Sequence, residues 1–257
     1  MTAGRVGVEV LAGPEELAEA AAARFAAAVE EAVASVGEGG RVSLALAGGS
    51  TPRGLYRRLA LEPYAARLPW ARLHVFWGDE RCVPPDDEAS NYRMAHETLL
   101  SRVAVDPEKV HPIRGEEGAT TAARAYEDEI RASLGDEPRL DLVLLGLGDD
   151  GHTASLFPAA LEGVEGDPHP DRLAAPAEAP SEPKERVTLT LSTLNAARRV
   201  LFLVQGAGKA EAVAATFAGT GLASTAVPAA RVRPVAGHVL WLLDETAAAG
   251  LPERGAR

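Results

Sequence analysis

Residues 141–158 read DLVLLGLGDDGHTASLFP, a run of branched aliphatics that ends at Gly146 and is followed by Asp149, Asp150 and His152. Histidine titrates near neutral pH, and a carboxylate beside it on a constrained turn can orient it as a general base. Asp150 and His152 are therefore the first candidates for proton transfer. Gly146, Gly148 and Gly151 match G-x-G-x-x-G. A dinucleotide is still disfavoured, because Asp149 and Asp150 put negative charge where a pyrophosphate would lie and Pro158 limits any following helix. Zinc lacks support as well. There is no H-E-x-x-H and no second histidine at ligand spacing, and Cys82 is the sole cysteine, which rules out a thiolate cage and an internal disulfide.

Three other stretches carry groups suited to an anionic ligand. In AGGSTPRGLY, residues 47–56, Gly48 and Gly49 permit a tight turn, Ser50 and Thr51 add hydroxyls, and a helix starting at Pro52 or Arg53 would present free N–H groups. The same pattern also fits a plain strand-to-helix turn in which a hydroxyl caps the helix. It is not a Walker A loop, since G-K-[ST] is missing. In WGDERCVP, residues 77–84, Asp79, Glu80 and Arg81 stand together where an apolar run stops. That reads equally as a solvated charged turn, and Cys82 lacks an evident partner for nucleophilic work. In QGAGKA, residues 205–210, Lys209 lies just inside a new helix and can reach a phosphate as a point charge, and Arg186 precedes another strand and could join it.

These residues need a frame. Apolar runs at 6–11, 42–47, 73–77, 140–145, 187–191, 200–204 and 239–243 predict strands, several of them continuous as in strands covered on both faces. Helical patterns fall between them, clearest at 14–36, 91–103, 120–134 and 209–217. Alternation of this kind predicts an α/β fold with a mostly parallel, doubly wound sheet and crossover helices. Ligands gather beyond the carboxyl ends of such strands, which is where the candidate groups lie. The segment 159–186, with prolines at 168, 170, 176, 180 and 183, predicts an irregular excursion that returns to the same sheet. No repeat or linker divides residues 1–257, so one domain is expected.

A formal charge of −11 opposes nucleic-acid binding, which needs a basic face. Against that background an anion must be gripped by a local cluster of cations and donors. No apolar run has membrane-spanning length and no signal-like core follows a basic N-terminus, so a cytoplasmic protein without membrane partners is expected.

Taken together, LALAGGSTPRGLY, VFWGDERCVP with SNYRMAHETLL, GLGDDGHTASLFP, RVTLTL, VQGAGKA and PAARVRPVAGHVLWLLD resemble the 6-phosphogluconolactonase family, which is related to the glucosamine-6-phosphate deaminase/isomerases. The resemblance runs through nearly the whole chain. It implies a three-layer α/β/α, modified Rossmann-like fold without a nucleotide or other cofactor. It also implies hydrolysis of 6-phospho-D-glucono-1,5-lactone to 6-phosphogluconate in the oxidative pentose phosphate pathway. The catalytic histidine falls on His152, the phosphate-holding turn on Gly48, Gly49, Ser50 and Thr51, and the lysine on Lys209. Arg186 takes the place of a phosphate-contacting arginine and Arg81 that of an active-site arginine.

From this follows an expected mechanism. His152, oriented by Asp150, activates water, and Arg81 either stabilises the oxyanion or positions the substrate. Asp79 and Glu80 orient Arg81 and sugar hydroxyls, while the 48–51 turn with Arg53, Lys209 and Arg186 grips the phosphate. No metal or partner beyond the lactone is needed, and the protein is expected to be a monomer or weak homo-oligomer. One departure separates the sister activity. The deaminases read D-G-H-x-A-F-N-E-P, with a proton-carrying glutamate where this chain has Phe157. An amino-sugar-phosphate isomerase or deaminase is thus the second reading, and a non-catalytic sugar-phosphate sensor the third.

Overall fold

The computed structural model describes residues 5–37, 39–218 and 227–252. Six strands build a wholly parallel sheet: β1 (Arg5–Leu11), β2 (Val42–Leu46), β3 (Leu73–Trp77), β5 (Leu142–Leu145), β8 (Arg199–Val204) and β9 (His238–Asp244), in the order β1-β9-β8-β5-β2-β3. Every residue of β2 and β5 is buried, which explains their unbroken aliphatic runs. Edge strand β1 is mostly half-buried or exposed. Phe202 and Trp241, opposite each other in register, stack at 3.7 Å.

Helices flank the sheet and give the expected three-layer α/β/α, Rossmann-like architecture. The longest, α1 (Pro14–Val36), opens with Pro14, Glu15 and Glu16 and buries Leu17, Ala21, Phe25 and Val29, a stripe at helical spacing. The chain runs outward from β2 to β3 and, after returning, outward the other way from β5 to β8. The order therefore reverses between β2 and β5, and that crevice is where a sheet of this kind receives its ligand.

Several boundaries differ from the sequence expectation. Helix α2 (Ser50–Leu59) starts two residues before Pro52, because Gly49 at φ +103° turns the chain at once and Pro52 fits in the first turn, where no N–H is needed. The 91–103 pattern splits into α4 (Asn91–Thr98) and a 3-10 turn (Leu100–Arg102), and Lys209 ends a 3-10 turn just ahead of α8 (Ala210–Phe217).

The larger correction concerns residues 79–81 and 159–189. Asp79–Arg81 is not a turn but a strand, β4, and the excursion returns not to the main sheet but to a second one. There β4 pairs antiparallel with β7 (Glu185–Leu189), and β7 with β6 (Ala174–Glu178). Thr190 caps α7 (Leu191–Ala196), which ends the strand before residue 191. The excursion is tied down by Glu127 on α5 (Ala119–Leu134), which accepts from the Arg172 guanidinium at 2.7 Å and from the Leu173 N–H at 2.7 Å. Arg231 adds bonds to the carbonyls of Leu161, Val164 and Gly166.

Candidate active site

Two buried phenols pin the strand ends that open on the crevice. The Tyr56 hydroxyl accepts from the Ala47 N–H at 2.9 Å and donates to the Ala47 carbonyl at 2.8 Å. Tyr126 does the same for Trp77, at 2.7 and 2.9 Å. Beyond Ala47 the turn needs its glycines. A Cβ on Gly48 would lie 1.9 Å from Asn91 Oδ1, and Gly49 has positive φ. The amides of Ser50 and Thr51, at the start of α2, make no hydrogen bond among the described residues.

Past Trp77 the chain leaves the main sheet through Gly78, whose N–H donates to Leu46 and whose carbonyl accepts from Leu189. Asp79 is buried there, accepting from Ser155 Oγ at 2.7 Å, while Asn91 Nδ2 donates to its carbonyl at 2.9 Å. Glu80 is expected from sequence to orient the Arg81 guanidinium, but its carboxylate makes no hydrogen bond with it. Its carboxylate takes the N–H groups of Arg81, Asn91 and Tyr92, so it secures the start of α4. Burial pushes its carboxyl up, against the pull of those three bonds.

Arg81 and Arg186 lie directly opposite each other in the β4–β7 ladder. Like charges in that relation repel. Burial first, and the Arg81 charge second, hold the Arg186 guanidinium below its ordinary range. The buried Nε of each arginine has no hydrogen-bond partner, although Arg81 also donates through Nη1 to the Ala89 carbonyl. Two guanidiniums opposite each other, each with an unsatisfied buried Nε, present the kind of donors that an anion can satisfy. Cys82, next in sequence, is no thiolate: burial, then Glu185 and Glu80, push its thiol up to about 11.

After β5 the 146–152 loop builds the imidazole's seat. Asp150 Oδ1 accepts from the His152 N–H at 3.0 Å and from its Nδ1 at 2.6 Å. Burial raises the Asp150 carboxyl, but these bonds outweigh it and hold the group below the ordinary range. An ionised carboxylate only accepts, so Nδ1 carries the proton and Nε2 keeps its lone pair. Nε2 makes no hydrogen bond among the described residues. Gly148 serves this seat, since a Cβ there would meet Nδ1 at 2.0 Å, and Gly151, at φ +83°, lets the loop pass Val227, which a Cβ would meet at 2.7 Å.

A cavity of about 320 Å³ joins these parts, a size suited to a small ligand. Gly48, Gly49, Asp79, Arg81, His152, Arg186 and Lys209 all line it. Asp150 stands behind His152, and the side chains of Ser50 and Thr51 do not reach the lining. Arg53 is not in the site: it lies exposed in a separate groove with Arg57 and Arg93. Lys209 is held by Asp149 at 2.5 Å. Sequence reasoning missed Tyr56, Tyr126, Asn91 and Ser155, whose roles are long-range hydrogen bonds without a local pattern. Among the described residues no cluster of His, Cys, Asp and Glu is placed to hold a metal ion, and no helix is long and apolar enough to cross a membrane.

The sequence and the fold have counterparts among known proteins. The pattern of the family Glucosamine-6-phosphate isomerases/6-phosphogluconolactonase matches residues 12–241. The chain belongs to this family. Within the family, the 6-phosphogluconolactonase of Nostoc sp. is 43% identical over 218 residues, covering 82% of this chain and 85% of that one. That of Synechocystis sp. is 39% identical over 249 residues, covering 95% and 98%. The solved 6-phosphogluconolactonase of Trypanosoma brucei superposes with a TM-score of 0.82 at 32% identity, covering 98% of this chain and all (100%) of that one. A monomeric glucosamine-6-phosphate deaminase superposes at 0.76 with 25% identity, covering 95% and 99%, so the sister activity of the family shares the fold.

Proposed function

We propose that this family member hydrolyses 6-phospho-D-glucono-1,5-lactone to 6-phospho-D-gluconate, the lactonase step of the oxidative pentose phosphate pathway. One observation carries the reading: an imidazole with a free Nε2 lines the same cavity as two arginines, each with a buried Nε that has no partner. In the proposed reaction His152 Nε2 takes a proton from water as its oxygen bonds to C1. The tetrahedral intermediate collapses with cleavage of the bond from C1 to the ring oxygen. The imidazolium returns its proton to that oxygen, and the new carboxylic acid ionises. Asp150 keeps the tautomer in place throughout.

Arg81 donates to the oxyanion that develops at C1. Arg186, Lys209 and the free amides at the start of α2 hold the 6-phosphate. Phosphate binding at that distance from C1 converts affinity into orientation and offsets the protein's net negative charge. Phe157 lines the cavity where the deaminases place a glutamate, which supports the lactonase over the sister activity.

The test is acid release from freshly made lactone, with an enzyme-free control for spontaneous opening, and ammonia release from glucosamine 6-phosphate. Acid release without ammonia release is expected. His152→Ala should lose about 10²–10⁴-fold in kcat with little change in KM. Full turnover by that variant would remove the base assignment.

A further inference from the structure

Residues 153–157 form a device that the reaction described above leaves unused. Thr153 is buried, donates through Oγ1 to the Gly146 carbonyl at 2.8 Å, and pairs with Leu156 across a tight turn whose Leu156 N–H donates back at 2.9 Å. Ala154 at that turn has φ +48°, the one non-glycine residue with positive φ among the described residues. A side chain in the left-handed region is strained, and such strain persists where the surrounding structure demands it. The turn sends the chain back so that Phe157 packs against the His152 ring, with centroids 4.7 Å apart and planes at 43°.

Phe157 is itself fixed. It precedes Pro158, the first residue of α6 (Pro158–Leu161), and a residue before proline is confined to extended backbone, as its φ of −94° and ψ of 149° show. Its side chain is buried. Against another part of the imidazole lies Gly148, where an added Cβ would come within 2.0 Å of Nδ1 and 2.2 Å of Cε1. The ring is thus bounded by a peptide, an aromatic ring and the Asp150 carboxylate.

We infer that Phe157 is a positioning residue, whose ring holds the His152 imidazole against Gly148 in the orientation that gives Nδ1–H to Asp150 and Nε2 to the cavity. The inference rests on His152 acting as the base. It also gives Phe157 a function of its own, beyond the absence of a glutamate. A two-atom contact with Asp150 fixes one end of the imidazole, and an aromatic wall fixes its plane. Loss of that wall lets the ring swing about the Nδ1 contact and carries Nε2 off the line of attack.

The experiment compares Phe157→Leu and Phe157→Tyr with the parent and with His152→Ala. Thermal unfolding establishes that each variant folds, steady-state kinetics with fresh lactone give kcat and KM, and imidazole ¹⁵N NMR reads the His152 tautomer. Phe157→Leu is expected to lose about 10- to 100-fold in kcat, with KM within about twofold. Its His152 nitrogen signals should move from one protonated and one bare nitrogen toward an average of the two. Phe157→Tyr, which keeps the ring, should return kcat to within about threefold and restore the single tautomer. Should Phe157→Leu fail to fold, Phe157→Met replaces it, since a flexible side chain fills the space without presenting a plane. Parental kcat in the aliphatic variant, a change confined to KM, or an unmoved tautomer overturns the inference. Turnover by His152→Ala at the parental rate instead sinks the base reading, and the two failures are told apart by that one variant.

Discussion

Replacing Arg186 by methionine should make the free protein more stable while crippling its hold on phosphate. The guanidinium stands opposite Arg81 in the β4–β7 ladder, and its Nε is buried without a partner. Like charges directly opposite each other in a ladder destabilise it, by roughly 1 kcal/mol. Burial disfavours the charge more than Arg81 does, and although Asp79 and Glu80 return part of this, the guanidinium still lies below its ordinary range. Methionine keeps most of the apolar stem and removes both the charge and the unsatisfied donor. The expected gain is about 1 kcal/mol, or about 2–4 °C in Tm for a chain of this size. A charge-assisted hydrogen bond to phosphate is worth about 1.5–3 kcal/mol, so KM should rise roughly 10- to 150-fold. The assay is thermal unfolding with and without inorganic phosphate, beside lactonase kinetics. At about a hundred times its Kd, phosphate adds about 2.7 kcal/mol to the parent and should add little to the variant. A destabilised variant that still responds to phosphate like the parent would refute the idea that this arginine is kept for an anion at the expense of stability.

Lys209→Ala should raise KM for the lactone about tenfold or more with kcat nearly kept, and unchanged KM would remove Lys209 from the phosphate site. Tyr56→Phe leaves the Ala47 N–H without its buried partner, so unfolding measurements should show a loss of about 1–3 kcal/mol, together with a higher KM from a loosened 48–51 turn. Glu127 is raised by burial but lowered more by Arg172 and the Leu173 N–H, leaving its carboxyl below 4.5 in the folded state. The stability it contributes is therefore present above that value and lost as pH falls through the depressed pKa. The stability difference between parent and Glu127→Gln should be full at pH 7 and shrink below about pH 4.5, as followed by denaturant unfolding.

The parallel core was legible because its cause is local. Strands β2, β5 and β8 are covered on both faces, so each reads as an uninterrupted aliphatic run. The Asp150–His152 pair was legible for the same reason, since two residues on one turn meet without help from the rest of the fold. Arg53 was misjudged by a shift of register. A helix starting at Ser50 instead of Pro52 turns each later side chain through about half a revolution, and Arg53 lies exposed in a groove outside the cavity.

Residue types and spacing by themselves determined the parallel α/β frame and the loop that bears the imidazole, while the family followed from the resemblance of its motifs to known proteins. Tertiary structure alone decided that Asp79–Arg81 is a strand, because its pairing partner lies about a hundred residues downstream and three polar residues carry no periodicity. It alone set Arg81 against Arg186, Lys209 against Asp149, and Tyr56 and Tyr126 under the strand ends. A charge or a hydroxyl shows in sequence what it can do, but its partner across space is chosen by how the sheets close around it.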